Sequence, residues 1–322
     1  MLTRRDFGKA VLVSLPIASA ALAQGRKKVA RYASRFGGVR IGSQTYSYRA
    51  LRDTSQPWSA AGADQLMQRV ADSFVENQID LAEFWIAMVE PAGGPGRGPT
   101  DPVAREALRK WRLSRPLDVF ERARRTFTDA GIEIYSCMFN FADDLTDDEI
   151  EFAFDAAKTL GTKIISANCT RASIKRAAGF ADRHKVYVSA HAENAPFDRN
   201  SDGMAYEKNL VEALGHSSFI KITLDTGHFT AFGGDSVKFV REHHDRIANL
   251  HLKDRLRKAE DRNDQNTTEW GKGDAPLVQV LQLMKNGRYS FPACIEYEYS
   301  GKGSAVEEVQ KCLNYAKAAL AT

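Results

Sequence analysis

The chain has 322 residues, 43% of them hydrophobic and 27% charged, which is typical of a globular protein and excludes a disordered, low-complexity one. Its net charge of +4 is small and scattered, so charge alone does not indicate a nucleic-acid-binding protein. A chain of this length is sufficient for one α/β barrel or for two ordinary domains.

The first 23 residues have the features of an export signal. Paired arginines in TRRDF (residues 3–7) precede an apolar run from Ala10 to Leu22, and residues 21–23 read ALA, like a cleavage site. The pair resembles a twin-arginine signal, which predicts export to the periplasm or elsewhere outside the cytoplasm. The run is too short to span a bilayer comfortably, and we expect no membrane contact in the mature form, which would lack it. Residues 24–36 read as a basic linker before a single domain over residues 37–322.

Past the linker, β-rich runs alternate with helical stretches. The eight predicted strands are Val39–Tyr46, Ile79–Trp85, Ile132–Phe139, Lys163–Asn168, Val186–Glu193, Ile220–Asp225, Ile247–Lys253 and Ala293–Tyr297. The predicted helices are Gly62–Asn77, Pro116–Ala130, Asp147–Leu160, Ala172–Arg183, Tyr206–Ala213, Asp235–Asp245, Ala275–Asn286 and Ala305–Leu320. Eight such units with near-continuous apolar strands predict a (β/α)8 TIM barrel. An open doubly wound sheet is the main rival, but no GxGxxG motif follows the first strand.

Two irregular segments follow predicted strands. Residues 91–99 (PAGGPGRGP) follow the second strand, and the long polar segment Arg255–Lys272 follows the seventh. Because both leave the carboxyl ends of strands, we expect both to overhang the face where barrels carry their active sites.

The four cysteines, Cys137, Cys169, Cys294 and Cys312, show no metal-binding spacing. Three of them lie in apolar strand-like runs, where a free buried thiol is the common state. Export would permit a disulfide, so their oxidation state is left open.

Polar side chains gather at the ends of the last four predicted strands. In strand order they are His191 and Glu193, Asp225 and His228, His251 and Lys253, and Glu296 and Glu298. Any one of them alone is more often an ordinary core residue, but the carboxyl ends of parallel strands meet at one face of a barrel. Two histidines and two carboxylates suit a hard or borderline divalent ion, and we predict one Mn, Mg, Co or Zn ion here. His228 is expected to orient a ligand or the substrate.

The runs LDTGH, NLHLKD, EWGKGD and CIEYEY occur in an order that resembles the xylose-isomerase-like barrel family of sugar isomerases and epimerases. This family also includes inosose dehydratases and, more distantly, endonuclease IV. The resemblance covers residues 39–320, and the run IDLAEFW at the second strand fits it as well. It implies that one divalent metal is bound by His191, Asp225, His251 and Glu296.

The fifth strand departs from the pattern of the family's epimerases. Those enzymes use glutamates of strands five and eight as paired acid and base, whereas this chain has His191, followed two residues later by Glu193. A metal-bound neutral imidazole is a poor proton acceptor, so a two-face epimerase needs Glu193 or Lys253 as a replacement. Histidine at this position resembles the inosose-dehydratase branch.

We therefore expect a metal-dependent isomerase or epimerase that removes a proton next to the carbonyl of a non-phosphorylated sugar or keto-sugar. The alternative is a lyase or hydratase acting on 3-keto-glycosides or their elimination products. Export argues against sugar phosphates, since those are cytoplasmic metabolites. The catalytic candidates are Glu296, Glu193 and Lys253. The substrate-binding candidates are Glu83, Trp85, His228 and Trp270, although a structural ion pair for Glu83 and plain packing for the tryptophans are equally consistent with the sequence.

Two other functional classes are disfavoured. An endonuclease-type site needs several metals and a basic DNA-facing surface, but the chain has seven histidines, four of which fall in predicted helices or loops. A non-catalytic sugar-binding barrel would be expected to have lost a ligand, and all four are present. We expect a small-molecule sugar as partner and no nucleic acid. The sequence leaves open whether the protein forms a homo-oligomer.

Overall fold

A computed structural model describes residues 33–91, 99–193, 203–257 and 267–322. Parallel strands β2 to β9 form a closed barrel, since each pairs with the next and β9 pairs back to β2. The strands are β1 Arg35–Phe36, β2 Val39–Gln44, β3 Leu81–Trp85, β4 Glu133–Phe141, β5 Ile164–Cys169, β6 Tyr187–His191, β7 Ile220–Asp225, β8 Ile247–Leu252 and β9 Ala293–Ile295. The predicted (β/α)8 TIM barrel is confirmed, and the predicted first to eighth strands correspond to β2–β9.

A short strand precedes the barrel. β1 pairs antiparallel with β2, so that Phe36 lies opposite Val39. β1 falls in the segment predicted as a linker, and this end of the segment is instead part of the fold because its backbone is paired. The predicted export signal, residues 1–23, and the linker up to residue 32 lie outside the described residues.

Helices follow the strands around the barrel. They are α1 Ala60–Glu76, α2 Pro102–Leu113, α3 Leu117–Asp129, α4 Asp147–Leu160, α5 Arg171–His184, α6 Glu207–Leu214, α7 Thr226–Ala231, α8 Ser236–His243, α9 Leu277–Gly287 and α10 Ala305–Ala321. Two 3-10 helices, Thr45–Leu51 and Ile86–Met88, follow β2 and β3. The sequence patterns predicted these α-helices apart from α2 and α7. α7 has six residues, too few for a helical periodicity to stand out.

Charged side chains attach α2 to the barrel. Glu149, buried on α4, accepts hydrogen bonds from Arg105 at 2.8 Å, Arg109 at 3.1 Å and Arg112 at 3.2 Å. Arg112 also forms a bidentate pair with buried Glu90 at 2.7 and 2.9 Å. The three arginines recur every three to four residues, on one helix face. Leu108 and Trp111 share the inward side of α2 with these arginines, whose charges obscure the apolar pattern, and the sequence analysis did not predict α2.

Asp254, two residues after the end of β8, organises the returning end of the long polar loop. Its carboxylate accepts backbone hydrogen bonds from Gly271 at 2.7 Å, Gly273 at 3.0 Å and Ala275 at 3.1 Å. A Cβ atom at Gly273 would lie 2.2 Å from Asp254 Oδ1, so this close approach requires glycine. These hydrogen bonds therefore fix the segment that precedes α9 against the end of β8.

The predicted irregular segments leave the carboxyl ends of β3 and β8, although residues 92–98 and 258–266 of them lie outside the described residues. All four cysteines are free thiols. Among the described helices, none has both the length and the apolar character that a membrane crossing needs.

Candidate metal centre

Four buried side chains converge at the carboxyl ends of β6, β7, β8 and β9. One potential ligand atom from each of them lies within 4.8 Å of every other. The four residues are His191, Asp225, His251 and Glu296. All four are at least nine-tenths buried. The structure thus brings together the set that the sequence suggested.

The two carboxylate oxygens of Asp225, in the LDTGH run, make different contacts. Its Oδ1 atom accepts a hydrogen bond from the His228 backbone at 2.7 Å and so caps α7. Its Oδ2 atom lies 3.6 Å from His191 Nε2, inside the cluster. A Cβ atom at Gly227 would lie 3.1 Å from Lys253 Cγ and from Lys253 O, so glycine lets α7 pack closely on the end of β8.

Both imidazoles of the cluster are held by their outer nitrogens. His251 Nε2 lies 2.6 Å from Glu83 Oε1, and His191 Nδ1 lies 2.6 Å from Asn168 Oδ1. Because these oxygens can only accept, we assign the proton of each ring to its outer nitrogen. The inner nitrogens, His251 Nδ1 and His191 Nε2, are 2.9 Å apart and face the cluster, where a bound cation would take a lone pair from each. Metal-binding histidines are characteristically oriented in this way.

Glu83 lies beneath the cluster and is fully buried. Its carboxylate accepts hydrogen bonds from Gln44, Ser136, Ser166, Asn249 and His251. Burial opposes its ionisation, but His251 and the other donors outweigh burial and hold the pKa of Glu83 well below its ordinary value. With both oxygens bonded inside the protein, Glu83 orients His251. The structure therefore favours a structural role for Glu83, paired with His251, over contact with a sugar.

Two carboxylate oxygens of the cluster accept no directed hydrogen bond. Asp225 Oδ2 and Glu296 Oε2 are buried and accept no hydrogen bond from the described residues. Leaving a buried carboxylate oxygen unsatisfied is costly, and a divalent cation would satisfy both. Glu296 Oε2 also lies 3.1 Å from His251 Nδ1. Two nitrogens and two oxygens with second partners in place fit a divalent ion such as Mn, Mg, Co or Zn.

Lys253 places an ammonium group at the edge of the cluster. Its Nζ atom lies 2.8 Å from Glu298 Oε2, 3.1 Å from Glu296 Oε2 and 3.2 Å from Asp225 Oδ2. Burial disfavours this charge, yet Asp225 and the two glutamates outweigh burial and raise the pKa of Lys253 well above its ordinary value. Lys253 is therefore held as a cation, which suits it to stabilise negative charge.

Glu193 and His228 lie beside the cluster on the β6 and β7 side. Glu193 contacts His191 Nδ1 at 3.6 Å and His228 Nε2 at 3.8 Å, and its side chain is 22% exposed. Burial, Arg255 and Lys253 lower the pKa of His228 to about 3, so its imidazole is neutral. Of the predicted catalytic candidates, Glu193 has the side chain that solvent, and hence a substrate, reaches most easily.

The two tryptophans suggested for stacking on a sugar are mainly packed against protein. Trp85 is 4% exposed and meets the half-buried Tyr46 edge-on, with ring centroids 4.9 Å apart. Trp270 is 9% exposed and meets Tyr315 of α10 edge-on at 5.9 Å. The structure places both in the hydrophobic core and brings neither into the metal cluster.

Sequence reasoning overlooked the residues that orient the ligands. Gln44 ends β2 and supports Glu83, and Asn168, near the end of β5, supports His191. Both satisfy the rule that pointed to the ligands, a polar residue at the carboxyl end of a strand. Extending that rule to the first and fourth barrel strands would have found them.

Comparisons with known proteins agree with this architecture. The sequence model of the xylose isomerase-like TIM barrel family matches residues 117–317. A search of curated protein sequences gives no match. A probable 3-DHS dehydratase from Bacillus anthracis has a similar structure, with 14% identity, a TM-score of 0.58, and coverage of 86% of this chain and 98% of that one.

Two epimerases have similar folds as well. The D-allulose 3-epimerase of Methylomonas sp. gives 14% identity and a TM-score of 0.56, covering 87% of this chain and 98% of that one. The 3-keto-D-glucoside 4-epimerase of E. coli gives 12% identity and a TM-score of 0.57, covering 87% and 99%. At such identities the likeness shows the fold alone. Because the family model spans more than half of the sequence, the chain belongs to the xylose isomerase-like TIM barrel family.

Proposed function

We propose that this protein is a divalent-metal-dependent isomerase or epimerase that removes a proton next to the carbonyl of a non-phosphorylated sugar or keto-sugar. The observation that carries this proposal is the convergence of four ligand atoms within 4.8 Å at the carboxyl-end face of the barrel. The family and the epimerases of similar fold support the same reaction class.

The metal would polarise the carbonyl and a neighbouring hydroxyl of the substrate, which acidifies the C–H bond between them. His191, Asp225, His251 and Glu296 would hold it. Glu83 and Asn168 keep the two imidazoles in the required orientation. Lys253 supplies a fixed positive charge beside the two ligand carboxylates, where negative charge on a substrate oxygen would be stabilised.

Proton transfer falls to Glu193 and Glu296. Glu193 follows β6 and Glu296 follows β9, and two strands, β7 and β8, lie between them in the barrel. The two carboxylates therefore approach the cluster from different strands. An epimerase that removes a proton from one face and returns it to the other needs two such groups. A positioned general base typically contributes about 10²–10⁴-fold to the rate.

A lyase or hydratase acting on 3-keto-glycosides or their elimination products is the second candidate. His191 favours it, because one ring nitrogen is bonded to Asn168 and the other points into the cluster. Once a metal is bound, this imidazole would have no lone pair left to accept a proton from a second face. The structural likeness to a dehydratase is consistent with this alternative.

We further propose that residues 1–23 direct export and that the protein acts in the periplasm. The paired arginines and the apolar run that follows them support this assignment. In that compartment a free or glycosylated keto-sugar is a more suitable substrate than a sugar phosphate.

The test is an NMR assay in D2O with the mature, Mn-loaded protein and a panel of keto-sugars and 3-keto-glucosides. EDTA-treated protein and the Glu296→Gln variant should be inactive. Glu121→Gln, at a 59% exposed side chain on α3, is a matched control that should retain activity. A deuterated epimer or isomer identifies the first reaction, whereas loss or gain of water or release of an aglycone identifies the second. Absence of turnover on every ketone, with metal bound, would refute both.

A further inference from the structure

The ammonium of Lys253 faces the same two oxygens that a divalent metal would need. Asp225 Oδ2 and Glu296 Oε2 lie 3.2 and 3.1 Å from Lys253 Nζ. These are ion-pair distances, yet neither oxygen accepts a directed hydrogen bond. Two cations drawn to the same pair of oxygens repel each other, and burial makes that repulsion stronger than it would be in water.

The surroundings of Lys253 restrict where its charge can go. The residue is 1% exposed, so the ammonium has no direct route to solvent. The backbone at Gly227 lies against the lysine stem, where an added Cβ would be 3.1 Å from Cγ. Besides the two ligand oxygens, Nζ contacts Glu298 Oε2 at 2.8 Å and His228 Nε2 at 3.2 Å.

Glu298 offers the ammonium a position outside the ligand set. Its Oε2 atom also accepts a hydrogen bond from Arg255 Nη2 at 3.1 Å, which fixes the carboxylate at this edge. The contact from Lys253 to Glu298, at 2.8 Å, is shorter than either contact to a ligand oxygen. Glu298 therefore attracts the charge away from Asp225 and Glu296.

We infer that Lys253 is an internal competitor of the metal, and that Glu298 moderates this competition by holding the ammonium. Without metal, the ammonium balances the charges of Asp225 and Glu296. With metal, its repulsion weakens the binding of the divalent ion. The inference rests on the metal centre of the proposed function and is independent of which sugar is turned over.

The charge of Lys253 would also affect the proposed reaction. Two positive charges that repel each other in the resting enzyme both attract a ligand on which negative charge develops. The repulsion is then relieved as the substrate oxygen becomes anionic, so Lys253 disfavours the metal alone and favours the metal together with such a ligand.

The experiment is a Mn²⁺ titration of chelator-treated full-length protein, followed by calorimetry and by the EPR signal of free Mn²⁺. The Lys253→Met variant should bind Mn²⁺ at least about tenfold more tightly than wild type, which corresponds to about 1.4 kcal/mol. Lys272→Met removes an equal charge from a 66% exposed side chain and should leave the affinity unchanged.

A double-mutant cycle tests the role of Glu298. Glu298→Gln should weaken Mn²⁺ binding when Lys253 is present, and this loss should shrink markedly in the Lys253→Met background. Equal losses of Mn²⁺ affinity in both backgrounds would mean that the negative charge of Glu298 attracts the metal directly and not through Lys253, which would overturn its moderating role. If Lys253→Met fails to fold until Mn²⁺ is added, as followed by circular dichroism, the competition is supported.

The outcomes separate this inference from the proposed function. Wild-type affinity or weaker binding in Lys253→Met would overturn the competition and leave the metal centre in place. Mn²⁺ binding by Lys253→Met but not by wild type would support the competition and count against a metal-dependent wild-type enzyme. Absence of binding by both proteins would overturn the metal centre and the competition together.

Discussion

Glu83 provides the sharpest test of how the metal centre is supported. Five donors converge on its buried carboxylate, and all five are side-chain N–H or O–H groups. The Glu83→Gln substitution preserves the shape but replaces one acceptor oxygen with an NH2 group. Because this group can only donate, the donors facing it lose their acceptor.

The size of the effect follows from how the donors are distributed. Gln44 and His251 bond to Oε1, and Ser136, Ser166 and Asn249 bond to Oε2. The less damaging orientation places the amide nitrogen at the Oε1 position and leaves two buried donors unsatisfied. At about 1–3 kcal/mol for each, we expect a loss of about 2–6 kcal/mol in the free energy of unfolding.

The substitution should also weaken metal binding. His251 Nε2 loses the oxygen that lies 2.6 Å away and that sets its tautomer and ring orientation. Loss of such a second partner typically lowers metal affinity about 10–100-fold. Urea unfolding and Mn²⁺ calorimetry measure the two effects. Glu133→Gln, at a 54% exposed side chain on β4, is the control and should change neither. Wild-type stability together with wild-type Mn²⁺ affinity in Glu83→Gln would refute this account of the site.

Three further predictions concern the parts of the structure that hold the site. Burial opposes ionisation of Glu149, but Arg105 and other donors outweigh burial and lower the pKa of Glu149 to about 2. The ionised carboxylate therefore stabilises the fold fully above its ordinary pKa of 4.5, and this stabilisation is lost as the pH falls toward 2. The stability deficit of Glu149→Gln in urea should accordingly be smaller at pH 3 than at pH 7, and equal deficits would contradict this. Asn168→Ala removes the oxygen 2.6 Å from His191 Nδ1 and should lower Mn²⁺ affinity by about tenfold in calorimetry. Because the buried His191 N–H loses its acceptor, the free energy of unfolding in urea should also fall, by about 1–3 kcal/mol. Asp254→Asn replaces one carboxylate oxygen with an NH2 group, so at least one of the three backbone N–H donors loses its acceptor. The free energy of unfolding should fall by about 1–3 kcal/mol, and proteolysis near residues 271–275 should become faster. An unchanged cleavage rate would argue against the role of Asp254 in holding this segment.

The barrel and its four ligand candidates could be predicted from the sequence because both depend on regularities along the chain. Apolar strand runs recur between helical patterns, and the carboxyl ends of parallel strands must share one face. Asp225 is the last residue of β7, His251 lies opposite it on β8, and Glu296 directly follows β9. No knowledge of side-chain packing was needed to group them.

The contacts of Glu83 and Lys253 were revealed by the tertiary structure alone. Glu83 bonds to Asn249, 166 residues away in the sequence, and Lys253 contacts carboxylates from both β7 and the end of β9. Which side chains meet inside a barrel depends on the register and tilt of strands that are distant in sequence, and no local pattern encodes these. The same holds for α2, whose inward arginines became interpretable only once Glu149 and Glu90 were seen opposite them. The chain's own order of residues thus determined which groups reach the candidate site, whereas the folded structure decided which of them meet in the cluster, which support it and which face it with a charge.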